Sequence, residues 1–138
     1  RTLATIDTPI LFILHAGVIW LVLGLLARGA ALAFSLLPPT AALHVLTMGA
    51  IGTMIMGVMS RATLGHTGRE MRAPPAMVMA YVLLALAVLA RLAGLLLAGS
   101  LASHLLLGAG ILWTAAFGLF AAVIAPLVLL PRIDGRPG

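Results

Sequence analysis

The sequence predicts an all-α integral membrane protein, four transmembrane helices in a bundle. Three observations carry that prediction. The 138 residues are 63% hydrophobic and only 8% charged, against roughly 25% charged in an ordinary soluble domain. The apolar residues fall into four stretches, each long enough for the ~20 residues that cross ~30 Å of hydrocarbon. The interruptions between them hold proline, glycine and arginine. No water-soluble fold of this size could hide so much apolar surface, and the mean hydropathy is +1.24. Helices are required because an unpaired backbone group cannot face lipid, and no stretch alternates as a barrel strand does.

The first span covers about 8–34, with Pro9 suited to the first helical turn. Its apolar run, 10–27, exceeds the ~7–15 residues of a signal-peptide core, which marks a true span. Pro38-Pro39-Thr40 breaks the chain, and the second span covers about 40–64. Gly65, Thr67 and Gly68 supply its stop. Arg69 to Pro75 is a polar connection, followed by a third span over about 75–98. Gly99 to Ser103 is a short turn, with Ser100 or Ser103 as N-cap of the fourth span, about 101–130. Pro126 bends that helix or begins its end, and Pro131 stops it. The whole chain, 1–138, reads as a single transmembrane domain.

Charge orients the spans. All eight basic residues are arginine, and with three acids the net charge is +5. On a soluble protein that balance would suggest nucleic acid; here it marks loops held in the cytoplasm, and no nucleic-acid partner is expected. Arg1, Arg61, Arg69, Arg72, Arg132 and Arg136 share one side, whereas Arg28 and Arg91 lie within helix ends on the other. Both termini are therefore expected in the cytoplasm of a multi-pass bacterial inner-membrane protein.

Ionisable groups inside a bilayer are costly and mark candidate sites. There is no cysteine, which removes disulfides, iron–sulfur clusters and thiolate haem. His44 and His104 start the second and fourth helices at similar depth. Neutral imidazoles placed so can hold an iron porphyrin from both faces; alternatively each is an interfacial histidine wetted by headgroups. Arg28 and Arg91 lie at matched depth, about 10 Å in at 1.5 Å per residue. They suit the carboxylates of haem propionates, or they snorkel to the surface. His15 sits about two turns into the first helix, and His66 just past the end of the second. His44, Met48, Gly52 and Met56 form one stripe. Gly49, Gly52 and Gly57 admit a helix or a flat ligand, and Met56 with Met59 can share Cu(I) or simply pack. Trp113, Phe117 and Phe120 line one face of the fourth helix, facing a porphyrin edge, lipid or a neighbour. The stretch Ser60 to Arg69 is either a helix stop with cytoplasmic charge or a site for an anion, protons or a partner. No acid lies within a span, which disfavours a proton- or cation-coupled transporter.

The run Leu43-His44-Val45-Leu46-Thr47-Met48-Gly49-Ala50-Ile51-Gly52-Thr53-Met54 resembles the signature of the NnrS family. So does its continuation Ser60-Arg61-Ala62-Thr63-Leu64-Gly65-His66-Thr67-Gly68-Arg69, and Leu14-His15-Ala16-Gly17-Val18-Ile19-Trp20 in the first helix. Pro131-Arg132-Ile133-Asp134-Gly135-Arg136-Pro137-Gly138 is similar to that family's C-terminus. The resemblance implies the C-terminal third of a longer polytopic inner-membrane protein, associated with haem, copper, bacterial nitric oxide metabolism and nitrosative stress. It implies His15, His44 and His66 as metal-site residues and further transmembrane helices, from the same protein or another subunit, as partners alongside the lipid bilayer. The expected function is nitric oxide binding or electron transfer at a His-ligated haem b, with copper as a second metal. The cofactor-binding candidates are His44, His104, His15, Arg28 and Arg91. Two other functions fit the residues: a cytochrome-b-like electron carrier, and a cofactor-free structural transmembrane subunit of a respiratory complex.

Overall fold

The computed structural model describes residues 8–131. They form four helices long and apolar enough to cross a membrane: α1 (Pro9–Phe34), α2 (Pro39–His66), α3 (Pro75–Leu96) and α4 (Ser100–Leu129). Three of the four begin on proline, where its fixed φ suits the helix and its missing N–H has no intrahelical acceptor. Arg1, Arg132 and Arg136, half of the arginines assigned to the cytoplasmic side, lie outside the described residues, as does most of the C-terminal motif.

The helix ends show how the sequence stops each span. After α2, Gly68 takes φ 71°, its N–H bonds the Gly65 carbonyl at 3.3 Å, and the Arg69 N–H reaches the Leu64 carbonyl at 2.9 Å. This pair of bonds is the Schellman closure, and only glycine enters the left-handed region there without a Cβ penalty. At the start of α4 neither Ser100 nor Ser103 is the cap. Gly99, at φ 79°, precedes the helix, and no side chain caps it. That backbone conformation is one that side chains rarely adopt, so glycine takes the cap position in place of a serine. Pro126 sits inside α4, which runs on to Leu129 before ending at Leu130, short of Pro131. Arg69 Nη1 donates to the Leu127 carbonyl at 3.3 Å, tying the α2–α3 connection to the end of α4.

The four helices are not packed symmetrically. α3 with α4 and α1 with α2 form two equally extensive pairs, and α2 touches all three others, whereas α1 has no comparable contact with α3 or α4. Without a hydrophobic drive in lipid, such contacts depend on close van der Waals approach, which small residues permit. The α1–α2 seam uses glycines reciprocally. A Cβ on Gly17 would lie 2.5 Å from Met54 Sδ, and one on Gly24 the same distance from a Leu46 methyl. In return Trp20 lies over Gly49, and Ile13 and Leu14 over Gly57. The core joins Ile13, Met56, Met77, Leu84, Ala116 and Phe120 with their neighbours from all four helices.

Within α2, the eight residues Val45–Gly52 are π-helical. A π-segment is rare and wider than α, closing i→i+5 bonds. Its geometry matters for the stripe of His44, Met48, Gly52 and Met56. In an α-helix each four-residue step overshoots a full turn by about 40°, so the stripe would spiral away. In the wider π-turn the same step falls short of a full turn and cancels the drift. The stripe therefore stays on the α3–α4 side: Gly52 meets Trp113 and Leu84, and Met56 is fully buried in the core.

Candidate functional site

The site forms where the start of α2, the end of α3 and the first half of α4 meet. A cavity of about 360 Å³ is lined by His44, Thr47 and Met48 of α2, Arg91 of α3, and Ala109, Gly110 and Trp113 of α4. His44 and Arg91 are both half-buried. The His44 Nδ1–H donates to the Thr40 carbonyl, one turn back, at 2.6 Å. A carbonyl only accepts, so the proton of a neutral ring sits on Nδ1 and the Nε2 lone pair is left free. A ring N–H held by a backbone carbonyl is the usual support of a metal-ligating histidine. Thr47 turns its hydroxyl back to the Leu43 carbonyl at 3.0 Å, which leaves the His44 imidazole and the Arg91 guanidinium as the cavity's distinctive polar groups. No acidic residue lies within any of the four helices, so no carboxylate at this depth pairs with Arg91.

Trp113 gives the cavity its aromatic wall. Its ring contacts Phe117 at 4.6 Å between centroids, tilted by 47°, and lies over Gly52, where a Cβ would be 2.9 Å from the indole. The glycines at 49, 52 and 57 are thus filled by Trp20, Trp113 and the Ile13–Leu14 pair, and no flat ligand has room against them. Phe120 is buried in the core and Phe117 packs against it.

The other candidate residues are distributed differently. His104 is exposed and outside the cavity, so the structure does not bring it to His44 there. Arg28, half-buried on α1, lies one turn beyond Gly24, whose neighbour on α2 is Leu46. It shares the depth of His44 but does not line the cavity with Arg91. His15 is half-buried near the middle of the α1–α2 seam, its Nδ1–H donating to the Leu11 carbonyl at 2.8 Å. Its level along α2 is roughly 15 Å from His44 at 1.5 Å per residue. His66 is exposed at the far end of the same helix, roughly 30 Å from His44 on that scale. Among the described residues no three His, Cys, Asp or Glu side chains come together as a metal centre. Met56 and Met59 are also separated: Met56 is in the core, whereas Met59 is 44% exposed and lines an apolar groove between α1 and α2.

A second polar feature had no sequence signal beyond its being the single tyrosine. Tyr81 of α3 donates to Ser60 Oγ at 2.6 Å, and Ser60 donates to the Met56 carbonyl at 2.6 Å. Ser60 is fully buried. This chain of hydroxyls fastens α3 to α2 near the arginine-rich end.

With four membrane-spanning lengths and the motif residues of α1 and α2 in place, the comparison with known families decides the assignment. The model of the NnrS protein family matches residues 1–132, nearly the whole chain. The chain belongs to the NnrS family. No curated protein and no solved structure matches it. Within this NnrS domain the match covers α1 to α4 alike, and with them His44 and Arg91 of the cavity.

Proposed function

We propose that this NnrS-family membrane protein binds haem b at the α2–α3–α4 cavity and serves in the bacterial response to nitric oxide. The observation that carries the proposal is the convergence of His44 and Arg91 on one cavity from separate helices. His44 would hold the iron through Nε2, with its ring oriented by the bond to the Thr40 carbonyl. Arg91 would take a propionate, and Trp113 and Met48 would flank the ring. Bound haem supplies an iron that takes up nitric oxide or passes an electron. The chain's own residues would hold the group and neutralise its carboxylate. His104 lies outside the cavity, so among the described residues His44 is the imidazole that would hold the group there. A copper centre on His15, His44 or His66 would take its remaining ligands from other helices. Such helices, from the same protein or another subunit, would also close the open side of the cavity. The expected setting is the inner membrane with both termini cytoplasmic.

The test is optical. Protein purified in mild detergent should show reduced-minus-oxidised b-type bands that are lost in His44→Ala and kept in His104→Ala. Nitric oxide should shift them. Haem retained unchanged in His44→Ala would remove the assignment. A haem-free preparation with bound metal absent would favour the structural-subunit reading, which draws on the same i−4 bonds of His15 and His44 as ordinary satisfaction of intramembrane imidazoles.

A further inference from the structure

A larger cavity lies at the opposite end of the bundle, about 840 Å³, between the first turn of α1, the α2–α3 connection and α3. Its composition is divided. Its polar lining is Arg69, Glu70 and Arg72, two guanidiniums against one carboxylate, and its apolar lining includes the buried Ile10, the half-buried Val78 and the exposed Val82. Arg69 is positioned by its bond to the Leu127 carbonyl through Nη1, which leaves its other N–H donors available. Arg72 is exposed. The first turns of both α1 and α3 line the same space, and neither has a side-chain cap. Each therefore adds the positive end of a helix dipole to the field of the arginines. In a membrane protein this place, at the ends of the spans, is the boundary between headgroups and acyl chains.

We propose that this cavity holds an anionic phospholipid of the leaflet on the arginine-rich side, its phosphate at Arg69 and Arg72 and an acyl chain along Val78 and Val82. Charge selects the head: guanidiniums bind phosphate oxygens through paired N–H donors. The apolar wall selects the tail, and a free anion gains nothing from it. The volume lies within the ~300–1,000 Å³ of ordinary ligand pockets, enough for a headgroup and the first part of a chain. Basic pockets between spans are a recurrent form of anionic-lipid recognition.

The experiment uses the full chain in vesicles of equal parts phosphatidylglycerol and phosphatidylcholine. The protein is extracted in mild detergent, and co-purifying lipid is quantified by mass spectrometry. Phosphatidylglycerol should be retained in preference to phosphatidylcholine. Arg72→Gln, which leaves the Arg69–Leu127 bond intact, should reduce that retention about fivefold, the share expected of one basic residue at an anionic surface. Arg61→Gln, exposed on the same side but outside the cavity, should leave it unchanged. Val82→Trp should abolish retention without loss of helical circular dichroism. Equal retention of the two lipids, an equal effect of Arg61→Gln, or complete displacement by millimolar inorganic phosphate would each overturn the proposal. The first would show no headgroup selection, the second diffuse surface charge, and the third an anion site with no need of an acyl chain.

Discussion

Tyr81 and Ser60 make the clearest residue-scale prediction, because their hydroxyls are arranged in series. In Tyr81→Phe, Ser60 still donates to the Met56 carbonyl, so one bond is lost and no buried donor is stranded. The cost should be about 1 kcal/mol or less, as for other hydrogen bonds between membrane helices. Ser60→Ala leaves the tyrosine hydroxyl half-buried without its acceptor and should cost more than Tyr81→Phe. Denaturation of the two variants in mixed micelles checks the order. At His44 the companion expected from depth and the neighbour found in the fold differ. Depth along the chain paired His44 with His104 and Arg28 with Arg91, since depth is all that a linear sequence supplies. Which way each helix is rotated decides whether residues of equal depth meet. That rotation takes His104 out to the surface and brings Arg91 to His44.

At the scale of elements, the spans were legible and the π-segment was not. Proline at the starts and glycine after the second span set helix limits by steric rules that operate within a few residues. The widened stretch Val45–Gly52 carries no local sequence signal of the kind that proline and glycine give at helix ends. Trp20 of α1 lies over Gly49 and Trp113 of α4 over Gly52, two aromatic side chains placed within one π-segment. Gly52→Ala would put a methyl 2.9 Å from the Trp113 ring with Leu84 behind it. The indole must then move, and the cavity wall shared with His44 moves with it. We expect this variant to remain helical and membrane-bound while its haem content falls, whereas Gly29→Ala, which meets nothing within 4 Å, should leave both unchanged. Haem-to-protein ratios of the two variants provide the comparison.

For the whole molecule, composition indicated the class: 63% apolar residues in 138 correspond to four helices long and apolar enough to cross a membrane. The asymmetric assembly was less accessible. Glycines 17, 24, 49 and 57 join α1 to α2, while α1 has no comparable seam with α3 or α4. Orientation is a property at this scale, since it sums charges over every loop. A reporter fused after Gly138 should be cytoplasmic if the six arginines of one side hold it there. Periplasmic activity would reverse the leaflet of both cavities.

The contact between Arg69 and Leu127 ties two distant stop signals to each other. In an uninterrupted α-helix the Leu127 oxygen would be served by the amide of residue 131, and that residue is a proline with no hydrogen to give. The vacancy made by the imino ring is filled by a guanidinium from the other half of the fold. A residue chosen to end one helix thus also anchors a charge that a lipid head would meet, and exchanging Pro131 for an ordinary amino acid would set backbone and side chain competing for the same oxygen.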